Sequence, residues 1–155
     1  METFTIGFAS DHAGFALKEE LIRHFLGRGY SVKDFGCYSP DSCDYPDYAH
    51  PLADAVECGT SRFGIAICYT ANGISMTVNK HPGIRAAVCW NEEQARLARN
   101  HNDANICSLP AKYIDEKTGI RIVETFLKED FEGGRHKRRI DKIVRTEPVP
   151  PCEKQ

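Results

Sequence analysis

Five short runs of apolar, β-favouring residues, each followed by a stretch with helical periodicity, limit what this chain can fold into more than any other feature. The runs are Thr3 to Ala9, Ser31 to Phe35, Arg62 to Cys68, Ile84 to Trp90 and Ala104 to Leu109. Strands alternating with helices at intervals of roughly 20 to 30 residues require right-handed crossovers, and so predict a parallel, doubly wound α/β sheet. The 155 residues suffice for one such domain and not for two.

The stretches between the runs carry their own punctuation. From Ala13 to Leu26, Leu17, Leu21, Ile22, Phe25 and Leu26 fall on one helical stripe, preceded by Ser10, Asp11 and His12 as capping candidates and stopped by Gly27 and Gly29. Gly36 to Pro46 reads as a loop, and a second helix is expected from about His50, with Pro51 in its first turn, to Gly59. A polar turn through Gly73 leads into a short helix toward Lys80. Asn91-Glu92-Glu93-Gln94 is a capping-box pattern opening a helix to about Arg99, where Asn100 to Asp103 breaks the period. Asp115 to Lys128 carries Ile122, Val123, Phe126 and Leu127 at helical spacing, and Arg138 to Val144 predicts a further short helix. The domain is expected over residues 1–145, with 146–155, rich in proline, as a loose tail.

Composition excludes several classes of function. Twenty Lys and Arg against 22 Asp and Glu give a net charge of -2, without the cationic footprint of a nucleic-acid binder. No apolar run approaches the length of a membrane span and Phe4 to Ala9 lacks the flanks of a signal peptide, so the expected address is the cytosol. Seven cysteines, an odd number without a C-x-x-C pair, read as reduced thiols, mostly buried, with no zinc site among them.

Ligands of such sheets sit beyond the carboxyl ends of the strands, which puts Ser10-Asp11-His12 and Cys68 to Gly73 on one rim, with His101 as a further candidate there. A cysteine closing a buried strand before a polar turn can be held as thiolate by backbone N–H groups, although the same position suits a small apolar filler. His12 can meet an anion or simply stand exposed beside a capping Asp11; His101 sits in a polar loop that is either solvated or functional. Arg135 and Arg139, four apart in a basic run, would share a helical face and could hold one phosphate between them, or form a solvated surface.

Taken together, Ser10 to Gly14, Asp44 to Tyr48, Cys68 to Lys80, His101 to Asn105 and Phe131 to His136 resemble the ribose-5-phosphate isomerase B family, which also contains galactose-6-phosphate isomerase subunits. The resemblance runs from Thr3 to about Ile143. It implies a Rossmann-like five-stranded parallel sheet and a homodimer or homotetramer with active sites between subunits. It also implies interconversion of an aldose phosphate and a ketose phosphate without metal or organic cofactor. By motif, Cys68 is the base moving the proton between C1 and C2, and His101 opens the sugar ring. Asp11 and His12 hold the substrate's oxygens; Thr70 and the backbone through Tyr69, Ala71, Asn72 and Gly73 cradle the enediolate. Asn102 contacts the sugar, Arg135 and Arg139 clamp the phosphate, and Lys112 stands where relatives often carry Arg.

These residue types suit the reaction. A proton α to a carbonyl needs a base titrating near neutrality and fixed donors for the enediolate oxygens, and remote phosphate contacts supply positioning energy. The chain departs from the family's Gly-Thr-Gly-x-Gly after the cysteine, having Tyr69-Thr70-Ala71-Asn72-Gly73 instead. The expected reaction is ribose 5-phosphate to ribulose 5-phosphate. The alternatives are a six-carbon substrate, allose or galactose 6-phosphate, and a sugar-phosphate-binding domain without turnover.

Overall fold

The computed structural model describes residues 4–147. In chain order the elements are β1 (Thr5–Ser10), α1 (Phe15–Gly27), β2 (Ser31–Asp34), α2 (Tyr45–Glu57), β3 (Phe63–Cys68), α3 (Asn72–Val78), β4 (Ala86–Val88), α4 (Glu92–Asn102), β5 (Ile106–Pro110), α5 (Glu116–Lys128) and α6 (Arg135–Ile140). All strand pairs are parallel, in the order β2-β1-β3-β5-β4, as the alternating pattern requires. None of the helices is long and apolar enough to cross a membrane among the described residues.

Successive side chains of a strand point to opposite faces, and here the two faces differ in size. Ile6 and Phe8 of β1, Phe63, Ile65 and Ile67 of β3, and Cys107 and Leu109 of β5 pack with Leu21 and Phe25 of α1, Ala95 and Ala98 of α4, and Ile122, Val123 and Phe126 of α5. The other face presents Ala9, Ala66, Cys68 and Ile106 to Leu52, Ala53 and Val56 of α2 and Ile74 and Val78 of α3. Gly7 and Gly64 allow α2 to come close: a Cβ on Gly7 would stand 2.6 Å from Leu52 Cδ1, and one on Gly64 3.2 Å from the same atom.

Because α1 leaves β1 for one face and α3 leaves β3 for the other, the connections diverge between these neighbouring strands and open a crevice at their carboxyl ends. The turn after β1 presses against β3 there. Asp11 N donates to Ile67 O at 3.2 Å, and a Cβ on Gly14 would meet that carbonyl oxygen at 2.7 Å.

Several boundaries differ from expectation. α2 starts at Tyr45 rather than near His50, with Pro46 in its first turn and Pro51 in its interior. Its buried stripe of Ala49, Leu52, Ala53 and Val56 outweighs the proline's missing donor. α4 does not end near Arg99 but runs through Asn102, because its polar end is bonded outward. Asn100 Nδ2 donates to Asp130 O at 2.7 Å, and Arg99 Nη1 to Asp103 Oδ1 at 2.8 Å and to Ala104 O at 2.7 Å. The last helix is Arg135–Ile140 rather than Arg138 to Val144, entered through Gly134 at φ 57°. β4 keeps only Ala86–Val88 of the run expected from Ile84 to Trp90. Asn91 caps α4 as its pattern predicts, accepting from Gln94 N at 2.8 Å. Beyond Glu147 the expected loose tail lies outside the described residues.

Candidate active site

Cys68 closes β3 on the small-residue face, 4% exposed, with its carbonyl accepting from Ala111 N at 3.0 Å. The chain then turns through Tyr69 and Thr70 to Ala71, which is fully buried at φ 67°, a left-handed conformation that glycine adopts at less cost. Asn72 and Gly73 begin α3. Gly73 is required by its neighbour, since a Cβ there would stand 2.5 Å from Cζ of Tyr45 at the start of α2. The glycine that α2 demands is therefore the one this chain retains from the family's three.

Across the crevice, buried Asp11 accepts from Gly14 N through Oδ1 at 2.9 Å, fixing the turn ahead of α1. This bond is of the capping kind, but it closes the turn before the helix; α1 itself starts after Gly14 without a side-chain cap. His12 is exposed, and Cys43 N donates to its Nδ1 at 3.2 Å. The same Nδ1 lies 3.3 Å from Cys43 O, so the Cys43 peptide faces this edge of the ring with both its donor and its acceptor. Cys43 was not among the sequence candidates; it lies 31 positions from His12, and nothing in local spacing points to it.

Lys112 and Tyr69 form the outer wall of this rim. Lys112 Nζ stands 4.8 Å from the Tyr69 ring centroid, and Lys112 N donates to Tyr69 O at 3.0 Å. A hydrogen bond to Tyr69, with the charge interactions of Tyr69 and Tyr113, holds the Lys112 ammonium above the usual lysine range. Beside it a cleft of about 450 Å³ is lined by Thr70, Asn72, Val88, Trp90, Pro110 and Tyr113. Asp11, His12, Cys68, Thr70, Tyr69, Ala71, Asn72, Gly73 and Lys112 are thus gathered at one rim.

His101, Asn102, Arg135 and Arg139 are not. The expectation that His101 shares the rim of Cys68 is overturned: it lies in the last turn of α4, which runs back toward the amino ends of the strands. Asn105, four residues later, accepts from Gly64 N at the start of β3, whereas Cys68 pairs with Pro110 at the far end. The five steps from Phe63 to Cys68 measure about 16 Å. The polar stretch that looked like a loop is helix, and the helix direction decides the rim.

At the amino rim these residues form a second constellation. The rings of His101 and buried His136 stack with centroids 4.2 Å apart and 10° between planes, and Glu132 Oε2 lies 3.5 Å from His136 Nε2. Burial, then the nearby His101 and Arg135, push the His136 imidazole below its ordinary value. Arg135 and Arg139 stand exposed on α6, four apart, the spacing expected of a two-guanidinium clamp. Of the six described cysteines, all free, Cys37, Cys68, Cys89 and Cys107 are buried, as expected; Cys152 lies outside the described residues.

Comparison with known proteins gives this geometry its setting. The model of the family described as Ribose/Galactose Isomerase matches residues 6–143. The ribose-5-phosphate isomerase B of Escherichia coli is 42% identical over 142 residues, covering 92% of this chain and 95% of that protein. The crystal structure of a Thermotoga maritima ribose 5-phosphate isomerase superposes with a TM-score of 0.89 at 48% identity, covering 90% of this chain and 97% of that one. That of Mycoplasma genitalium ribose-5-phosphate isomerase B, with bound ribulose-5-phosphate, superposes with a TM-score of 0.88 at 42% identity, covering 92% and 95%.

Proposed function

Because this chain belongs to the ribose/galactose isomerase family, we propose that it interconverts ribose 5-phosphate and ribulose 5-phosphate, with Cys68 as the base. The observation that carries the reading is the placement of Cys68 at the carboxyl end of β3, beside the Asp11 turn, where the sheet's connections diverge. The Cys68 thiolate takes the proton from C2 of the open-chain aldose as the C1=C2 bond forms and the carbonyl pair moves to O1; the proton of the C2 hydroxyl then passes to O1, C2=O forms, and the thiol returns its proton to C1. Backbone N–H groups of the turn through Gly73, with Thr70, hold the enediolate oxygens. Asp11 and His12 orient the sugar hydroxyls. The reaction is internal to the substrate, so no electrons are exchanged with a cofactor.

The remaining roles require a second copy. Ring opening by His101, sugar contact by Asn102 and phosphate capture by Arg135 and Arg139 cannot come from the chain that supplies Cys68, since each lies at the opposite end of the sheet. In a homodimer or homotetramer the amino rim of one copy would complete the carboxyl rim of another. The free thiols fit the reducing cytosol as the place of work. Tyr69, with Lys112 over its ring, adds bulk beside the sugar position and favours a five-carbon over a six-carbon substrate.

Mixing two inactive variants tests the reading. Cys68→Ala and His101→Ala chains, dissociated and reassociated together, should recover about a quarter of wild-type activity. Half of randomly paired dimers would be mixed, each with one intact site. Recovery of nothing, with mixed assembly verified, would show that both groups must come from one chain. Full activity of Cys68→Ala alone would remove the base.

A further inference from the structure

On the outer surface of α2 and the turn after α3, four side chains that the sugar reaction does not use converge. His50, Asp54 and Glu57 recur at helical spacing on one side of α2, and His81 reaches them from the turn that follows α3. His81 Nδ1 lies 3.1 Å from Glu57 Oε2 and 3.4 Å from Asp54 Oδ1, and its Nε2 lies 2.8 Å from His50 Nδ1. Glu57 is fixed from behind, its Oε1 accepting from Gly83 N at 2.6 Å, and a Cβ on Gly83 would crowd that carboxylate at 2.9 Å. The Gly83 bond, followed by His81, also holds the Glu57 carboxyl below its usual range, so it is ionised at neutral pH.

We propose that His81 Nδ1, Asp54 and Glu57 are ligands for a borderline divalent cation of the Zn²⁺ class, and that His50 orients the His81 ring. One nitrogen and two carboxylate oxygens are a donor set zinc accepts, with the fourth position left to water. A tetrahedral ion with bonds of about 2.1 Å separates its ligand atoms by about 3.4 Å, and the two His81 contacts are already near that edge length. The three ligand atoms lie within 4.8 Å of one another, so a small movement of exposed Asp54 closes the site. The His50 contact supplies what ligating histidines need on the far side of the ring, an acceptor for the remaining N–H. With the metal on Nδ1, His81 would carry its proton on Nε2 and donate it to His50 Nδ1, 2.8 Å away. The site would clip α2 to the turn after α3 and shares no residue with either half of the sugar site.

The test uses the full chain, stripped of metal with a chelator, and titrated with Zn²⁺ by calorimetry and with Co²⁺ by visible absorption. Wild type should take one Zn²⁺ per chain, and its Co²⁺ form should show weak ligand-field bands without thiolate charge transfer. Asp54→Asn, at an exposed position that cannot unfold the chain, and His81→Asn should each weaken binding tenfold or more. His50→Ala should weaken it by about 10-fold to 100-fold. Glu132→Gln, in the other His and Glu cluster, should leave both affinity and stoichiometry intact. No binding by folded wild type, equal binding by wild type and Asp54→Asn, a thiolate band, or loss in Glu132→Gln alone would each overturn the proposal.

Discussion

The face of the sheet under α1, α4 and α5 is filled with Phe8, Phe63, Ile65, Ile67 and Leu109, while the face under α2 and α3 presents Gly7, Ala9, Gly64, Ala66 and Cys68. Bulk on the first face removes apolar area from water and provides most of the hydrophobic stabilisation. Small residues on the second let α2 lie close, so that its first turn brings Tyr45 over Gly73 and closes the loop that follows Cys68. Stability and the proposed chemistry are thereby divided between two sides of the same strands, and single substitutions should separate them.

The largest separation is expected at Cys68. Cys68→Ala should lower turnover by about 10²-fold to 10⁴-fold, the usual contribution of a general base, with little change in melting temperature. The reverse pattern is expected on the bulky face, where Phe126→Ala should cost about 3–5 kcal/mol in denaturant unfolding yet leave kcat of the folded fraction near wild type. Gly7→Ala would blur the division: the added methyl, 2.6 Å from Leu52, should cost about 1–3 kcal/mol and depress kcat as α2 shifts away. Unchanged kcat there would show that the approach of α2 matters only for packing. Ala71→Gly should raise stability by up to about 1 kcal/mol by relieving the left-handed backbone at φ 67°.

The smallest effect concerns the amino rim, outside this division. His136 titrates lower in the fold than in the unfolded chain, so its neutral ring favours folding fully above the unfolded value of about 6.5, and that contribution is lost as pH falls through the lower folded value. Melting temperature should drop between neutral pH and mildly acidic pH, and less so in His136→Phe.

The order of elements and the buried runs of β1, β3 and β5 were legible in the sequence because each strand is bounded by glycine or polar turns and each helix by a stripe. What escaped was set by distant partners. Pro51 looks like a first-turn residue until Leu52 and Ala53 are seen against the sheet, and Asn100-His101-Asn102 looks like a loop until Asp130 and Glu129 are seen to bond Asn100. Cys68, Asp11 and His12 could be assigned to one rim from strand direction alone. His101 yields to the same reasoning: it stands between α4 and β5, and the passage from a helix into the next parallel strand lies at the amino ends of the sheet.

On the proposed roles, that position makes turnover a question of encounter. With the proposed base Cys68 and the proposed ring opener His101 held at opposite ends of one sheet, a solitary chain would hold no complete site, and the rate per chain would fall on dilution once copies part. At such concentrations the initial rate would rise with the square of protein added, and a crowding agent that favours association would act as an activator without touching the sugar.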